Sequence, residues 1–167
     1  MIDFSTVKSI TIPEGKVAKI TQGSTVLWQV EPEAEQIVNI IDTVGYTDGN
    51  RLSTSGGGLR TNTGTFVTGM FQLEAVGDVY RTSGASFNAD RNSNCGVWIY
   101  QSNQTYWTYL NTNLSKSPIS HGTVGIVVDA DGNLTITTGA SFENKWIRLC
   151  GIGSGANLIV TKNQEIT

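Results

Sequence analysis

From residue 37 onward, short runs of Val, Ile, Thr, Tyr and Trp alternate with clusters of Gly, Asn, Ser and Asp. This alternation is typical of β-strands joined by tight turns, and no stretch shows the period of a long amphipathic helix. The pattern predicts an all-β fold, an antiparallel β-sandwich with jelly-roll-like connectivity. The predicted strands cover residues 37–43, 58–61, 65–73, 78–82, 96–101, 105–110, 123–129, 133–137, 145–151 and 157–161.

The first 30 residues predict a separate small unit. Three strand-like runs, at residues 6–12, 16–20 and 25–28, are joined by turns that contain Pro or Gly. A three-stranded β meander of this size is too small to bury a core of its own, so we expect it to serve attachment or oligomerisation. Residues 31–36 are acidic, include a proline and predict a linker, and residues 37–167 form the sandwich domain.

Composition narrows the classes of partner. Hydrophobic residues make up 38% of the chain and charged residues 15%, with a net charge of −3. A nucleic-acid partner requires a basic stripe, which the sequence lacks. The longest apolar stretch is far too short to span a bilayer, and the first residues do not resemble a secretory signal. We therefore expect no nucleic acid, no membrane insertion and no signal peptide.

Two cysteines, Cys95 and Cys150, each lie within a strand-like run. The favoured interpretation is a pair of buried free thiols that pack as small hydrophobic side chains. A disulfide between neighbouring strands is the alternative. Because no set of His or Asp residues accompanies the cysteines, they do not predict a zinc site.

The segment Asp129-Ala-Asp131-Gly-Asn133 is a weak candidate for a metal site. Its oxygen ligands alternate as they do at the start of a calcium-binding loop, but its glycine is fourth instead of sixth. The twelfth position is Ala140, where such a loop has a glutamate. We therefore interpret the segment as a hairpin turn, and we expect no metal ion or cofactor.

No catalytic motif stands out in the sequence. The single histidine, His121, lies in a Ser-His-Gly context without a nucleophile elbow, which favours a solvated turn. A glycosidase needs two carboxylates that face one cleft, and this remains an alternative. The acidic residues available for it lie near turns or strand ends, where carboxylates are normally solvated. We expect a protein that is not an enzyme.

The aromatic residues are the strongest candidates for ligand binding. Trp98 and Tyr100 alternate on one strand, and Trp107 and Tyr109 do the same on the next. If these strands pair, the four rings form one patch on which a sugar ring stacks. The alternative is that the rings fill the core between the sheets. Polar side chains placed to bind sugar hydroxyls are those of Arg91, Asn103, Gln104 and Asn111.

Several arginines lie within otherwise apolar or Thr-rich strands. An arginine in a strand usually has its head on the solvated face or paired with a carboxylate. Arg81 and Arg148 could instead bind an anionic sugar through both nitrogens of the guanidinium fork.

The N-terminal run VKSITIPEGKVAKI at residues 7–20, followed by VLW at residues 26–28, resembles a known module. The module recurs in tail and other structural proteins of phages and prophages of Gram-positive gut bacteria. Four further segments are similar to a domain that often follows it, and together they cover most of the chain. They are YTDGNRLSTS at residues 46–55, TGMF at 68–71, GDVYRT at 77–82 and WIRLCG at 146–151.

This resemblance implies a non-enzymatic virion structural protein of a tail tip or fibre, made in the bacterial cytoplasm. Its β-sandwich would be displayed for binding to a host-surface glycan or receptor. The implied partners are other virion proteins, a bacterial surface glycan and further copies of the chain, as a trimer by analogy with tail fibres. The family's modules usually end much longer proteins. The alternatives are a stand-alone carbohydrate-binding module and a purely architectural or decoration protein without a ligand.

Overall fold

The N-terminal unit contains one β-hairpin. A computed structural model of the chain describes residues 19–22, 25–29, 36–88, 95–111 and 125–166. The chain divides into two compact units, Met1–Gln36 and Ile37–Thr167. In the first, β1 (Lys19–Gln22) pairs antiparallel with β2 (Thr25–Gln29). The predicted first strand of the meander, residues 6–12, lies outside the described residues.

The described residues of the second unit form two antiparallel sheets and one helical turn. The elements are α1 (Ile41–Val44), β3 (Tyr46–Leu52), β4 (Leu59–Thr68), β5 (Phe71–Leu73), β6 (Val79–Ser83), β7 (Gly96–Tyr100), β8 (Tyr106–Asn111), β9 (Gly125–Val128), β10 (Leu134–Thr137), β11 (Lys145–Ile152) and β12 (Ile159–Lys162). The larger sheet has the order β3-β4-β11-β7-β8, and β5 also pairs with β11; the smaller sheet has the order β12-β6-β10-β9. The predicted all-β fold is confirmed, and the jelly-roll connectivity stays a prediction.

The two sheets pack face to face around a continuous hydrophobic core. The larger sheet contributes Phe66, Ile99 and Leu149, and the smaller sheet contributes Leu134 and Val160, all of them fully buried. Burial of such side chains is the main favourable term in folding. A second cluster of buried side chains lies on the opposite, outer face of the larger sheet. The larger sheet is therefore apolar on both faces, and β7 is buried along its whole length.

The predicted strand at residues 37–43 is wrong, because the chain there turns into α1. The Asn39 side chain causes this departure. Its Oδ1 accepts hydrogen bonds from the backbone N–H groups of Ile41, at 3.1 Å, and Val160, at 2.9 Å. The backbone N–H of Ile40 also donates to Val160 O, at 2.8 Å, so this segment makes only a short contact with the edge of β12 before it turns into α1. Within the described residues, no helix has the length and apolar character needed to cross a bilayer.

Strand β3 was not predicted, because its sequence YTDGNRL has no apolar alternation. It is an edge strand that pairs with β4, and a register shift at residues 48–50 accommodates Gly49. Strand β4 runs unbroken across the predicted gap at residues 62–64. The strand breaks instead at Gly69, whose N–H donates to Gly45 O at 2.8 Å. A Cβ at position 69 would collide with the Val44 carbonyl, so glycine is required at this close approach.

Candidate functional site: the outer aromatic face

The second cluster is built from three neighbouring strands whose registers align their side chains. Strand β11 lies between β4 and β7, and β7 lies between β11 and β8. Residues that pair directly across antiparallel strands point to the same side of the sheet. The pairs are Trp146 with Tyr100, Tyr100 with Tyr106, Arg148 with Trp98, and Trp98 with Tyr109. We call these six residues, together with the adjacent Met70, the outer aromatic face.

A β-bulge decides which residues of β8 join this face. The register shifts between Ile99 and Tyr100, so that Tyr100 opposes Tyr106 and Trp107 is the extra, unpaired residue. A bulge of this kind re-aims the side chains that follow it. Tyr106 and Tyr109 therefore both lie on the outer aromatic face, although their spacing does not fit a simple alternation.

Trp107 is the exception to the predicted four-ring patch. Its ring packs against Phe142 with centroids 5.5 Å apart, and Phe142 belongs to the core between the sheets. Lys145 Nζ lies 6.0 Å from the centroid of the same ring, and Trp107 is 43% exposed. The expectation that Trp107 joins Trp98, Tyr100 and Tyr109 in one patch is wrong, because the bulge removes it from their alternation.

Trp98 and Tyr100 form the floor of the outer aromatic face. Trp98 is completely buried and Tyr100 is 4% exposed. Trp98 stacks on Tyr109 with centroids 5.5 Å apart and an interplanar angle of 20°, and Tyr100 meets Tyr106 edge-on at 5.8 Å. The two floor residues are buried, but on the outer face of the larger sheet and not between the sheets. They can support a ligand-binding surface without touching the ligand.

Residues 53–58, which connect β3 to β4, cross the outer aromatic face as a strap. Three of its carbonyl oxygens accept hydrogen bonds from aromatic side chains. Trp98 Nε1 donates to Ser53 O at 3.1 Å, Tyr100 Oη donates to Gly57 O at 2.8 Å, and Tyr106 Oη donates to Thr54 O at 2.6 Å. The polar tip of each of the three rings is thereby hydrogen-bonded, which fixes the orientation of the rings.

The strap also holds its own shape. Ser53 and Gly58 are joined by a hydrogen bond from Ser53 N to Gly58 O at 2.8 Å, and Gly57 N donates to Ser53 O at the same distance. Gly57 has a φ of 66°, and a Cβ there would lie 2.5 Å from Tyr106 Cδ2. Burial raises the pKa values of Tyr100 and Tyr106, so both hydroxyls stay protonated and keep donating to the strap at neutral pH.

The part of the face that solvent reaches is a rim of half-buried side chains around the buried floor. Tyr106, Tyr109, Trp146, Met70 and Arg148 are each partly exposed. Flat aromatic surfaces beside a polar group are suited to the apolar faces of sugar rings, whose hydroxyls need hydrogen-bonding partners at the edges. Tyr106 and Trp146 were not predicted as members of the patch. Alternation along β11 aligns Trp146 with Arg148, but only strand pairing brings Trp146 beside Tyr100 and Arg148 beside Trp98.

Of the polar residues predicted to assist binding, the described ones lie in a turn or are buried. Asn103 is exposed in the β7–β8 connection, where its Oδ1 accepts the N–H of Thr105 at 3.1 Å. Gln104 occupies the left-handed region of the same turn, with a φ of 64°. Asn111 is 1% exposed and therefore cannot reach a ligand at the surface. Arg91 and His121 lie outside the described residues.

Asp129 organises the hairpin between β9 and β10. Its Oδ1 accepts the N–H groups of Asp131 and Asn133, both at 2.9 Å, and its Oδ2 accepts Asn133 Nδ2 at 3.0 Å. These hydrogen bonds, led by the one from the Asn133 side chain, lower the pKa of Asp129. The weak metal candidates Asp129, Asp131 and Asn133 thus bond to one another within the turn. Across the described ranges, no group of three or more His, Cys, Asp or Glu side chains is placed to hold a metal ion.

Both cysteines are buried as free thiols. Burial raises the pKa of Cys95 to about 12 and that of Cys150 to about 11. Burial is the main cause for Cys95, and Cys150, which pairs across the sheet with Gly96, the residue after Cys95, raises the pKa of Cys95 further. Cys150 belongs to the second cluster, beneath the outer aromatic face. Protonated, enclosed thiols of this kind pack as apolar groups and are poor nucleophiles.

Comparison with family models, with curated proteins and with solved structures finds no match to this chain. The resemblance to phage structural proteins therefore stays a prediction from the quoted segments.

Proposed function

We propose that the chain is a non-enzymatic binding protein whose β-sandwich holds a saccharide on the outer aromatic face. One observation supports this proposal above the others. Tyr106 and Tyr109 on β8 and Trp146 on β11 are partly exposed on the two strands that flank β7, whose Trp98 and Tyr100 form a buried floor tied to the strap. An exposed aromatic patch with a fixed, fully hydrogen-bonded floor is more than core packing requires.

The rigidity of the face favours binding. Side chains that are already held in place lose little conformational entropy when a ligand arrives. The three hydrogen bonds to the strap and the stacking of Trp98 on Tyr109 supply that order before binding. Sugar rings present apolar C–H faces and polar edges, which match aromatic rings flanked by Arg148 and by Tyr hydroxyl groups.

For the biological setting, we propose the role that the sequence resemblance implies: a tail or fibre protein of a phage particle that displays the sandwich toward a bacterial surface glycan. A single shallow aromatic site binds weakly, and several copies on one particle would compensate through avidity. A homo-oligomer, trimeric by analogy with tail fibres, and jelly-roll connectivity belong to the same proposal.

The decisive experiment combines a bacterial glycan array with three matched variants of the full-length chain. Trp146→Leu and Tyr109→Leu keep apolar bulk but remove the flat ring, so we expect each to weaken array binding at least about tenfold, or about 1.4 kcal/mol. Trp107→Leu makes the same change at an exposed tryptophan that packs on Phe142 instead, and it should bind as the unmodified chain does. Near-UV circular dichroism verifies that each variant is folded.

Two results would contradict binding at this face. One is the absence of any glycan signal from the folded chain, and the other is a loss that occurs in Trp107→Leu but not in the two face variants. Light scattering on the same samples addresses the architectural alternative. A large assembly that binds no glycan would favour an architectural protein over a display module.

A further inference from the structure

We propose that the outer aromatic face selects sugars that carry a carboxylate, and that Arg148 binds this carboxylate. The inference rests on the proposed function and names the chemical class of its ligand. Stacking of a sugar ring on the aromatic side chains would not by itself require Arg148.

Arg148 lies within the outer aromatic face and not at its margin. It pairs across the sheet with Trp98, whose other neighbour is Tyr109. Trp146 lies two residues away on the same strand and on the same face, about 7 Å along β11. A sugar ring stacked on Trp146 or Tyr109 would therefore place a carboxylate substituent within reach of the Arg148 guanidinium.

The break between β4 and β5 fixes the Arg148 side chain. Where the two strands are interrupted, Thr68 Oγ1 accepts the N–H of Leu149 at 2.9 Å, and Thr68 O is left available. Arg148 Nε donates to this carbonyl at 2.8 Å. Thr68 O is a neutral partner, and the guanidinium has five N–H groups in all, so donors remain for a ligand.

No carboxylate among the described residues forms an ion pair with Arg148. The ion pairs between described residues are those of Arg81 with Glu165 and of Lys162 with Glu74 and Asp78. Arg81, the other arginine considered for an anionic sugar, is therefore already paired, with Arg81 Nη2 2.8 Å from Glu165 Oε1. Within the residues that the structure describes, this half-buried cation among aromatic rings therefore has no counter-charge, and a ligand anion would supply one.

The single charge of Arg148 favours a carboxylate over a phosphate group. A carboxylate carries one negative charge and accepts two parallel hydrogen bonds from one guanidinium. A phosphate monoester carries about −1.5 to −2 charges at neutral pH. Within the described part of the outer aromatic face, Arg148 is the one cationic member, so a phosphate would bring more charge than the site neutralises.

The test compares uronate-bearing oligosaccharides with neutral oligosaccharides of the same length and linkage, and with sugar phosphates, on the full-length chain. We expect the uronate series to bind at least about tenfold more tightly than the neutral series. Arg148→Gln should remove this preference by weakening the binding of the uronate series at least about tenfold more than that of the neutral series, and Arg148→Lys should restore only part of it. Arg81→Gln removes the same charge from the other sheet and should leave the preference intact.

The arms separate the inference from the proposed function. Equal binding of the uronate and neutral series, unchanged in Arg148→Gln, would overturn the carboxylate assignment. It would not contradict saccharide binding on the outer aromatic face. Tighter binding of sugar phosphates than of uronates would also overturn the assignment. Saccharide binding on the outer aromatic face is itself contradicted if Trp146→Leu and Tyr109→Leu leave the binding of every series unaffected.

Discussion

At the scale of single residues, the carboxylate of Asp78 shows how surface polar contacts support the sandwich. It accepts hydrogen bonds from Asn163 Nδ2 at 2.9 Å and from the N–H of Ala75 at 3.0 Å, and Lys162 Nζ lies 3.0 Å from it. These contacts, led by the one from Asn163, lower the pKa of Asp78 from 3.8 to about 2. They join the β5–β6 connection to the end of β12.

We expect the stability of the protein to depend on the ionisation of Asp78. Because the folded-state pKa lies below the unfolded-state value, the contribution is fully present above about pH 4 and is lost as the pH falls toward about 2. Asp78→Asn should therefore be less stable than the unmodified chain at pH 6, by an amount that shrinks between pH 4 and pH 2. Urea unfolding at a series of pH values measures this difference. A difference that does not change with pH would show that the charge plays no part.

At the scale of elements, the strap and the β7–β8 bulge together create the outer aromatic face. The bulge brings Tyr106 beside Tyr100, and the strap then accepts a hydrogen bond from each of the two hydroxyls. Neither feature would order the face alone. A sheet face that would otherwise be an exposed apolar surface is thus partly covered by a connection of only six residues.

We expect Gly57→Ala to destabilise the protein by about 1–3 kcal/mol, because the residue has a positive φ and because its Cβ would collide with the Tyr106 ring. Gly56→Ala is the matched control in the same strap, since a Cβ there meets nothing within 4 Å. That variant should change stability by no more than about 0.5 kcal/mol. Chemical denaturation measures both, and near-UV circular dichroism should report a disturbed aromatic environment in Gly57→Ala alone. Equal effects of the two substitutions would contradict the packing described for the strap.

At the scale of the whole molecule, the second unit contains a complete set of packed layers. Both clusters of buried side chains, the one between the sheets and the one on the outer face of the larger sheet, lie within Ile37–Thr167. A domain of this size with one continuous core normally folds on its own.

We therefore expect residues 37–167, produced alone, to unfold in a single cooperative transition and to retain the glycan binding of the full chain. Thermal and urea unfolding followed by tryptophan fluorescence and circular dichroism should give coincident transitions. A fragment that is soluble but lacks a cooperative transition would show that the N-terminal residues are needed to complete the core.

The fold class and many of the strands and turns could be predicted from the residue pattern alone. Alternating β-branched and aromatic residues with Gly- and Asn-rich turns specify strands, and the Asp131-Gly132 pair specifies the β9–β10 hairpin, because both signals are local. Strand β3 was not predicted, because an edge strand can be polar. The strand predicted at residues 37–43 was wrong, because its Asn39 hydrogen-bonds a strand that is distant along the chain.

Which aromatic residues share one face of the larger sheet follows from the pairing of distant strands. Strand β7 is apolar on both faces, so alternation places Trp98 and Tyr100 together but does not tell which face lies between the sheets. Pairing of β7 with β11 places Trp146 beside Tyr100, 46 residues away along the chain, and Arg148 beside Trp98, 50 residues away. The bulge in β8 places Tyr106, and not Trp107, opposite Tyr100. Strand pairing in a sandwich is non-local, and a one-residue shift reverses which side a residue faces, so a local pattern cannot fix the membership of a surface.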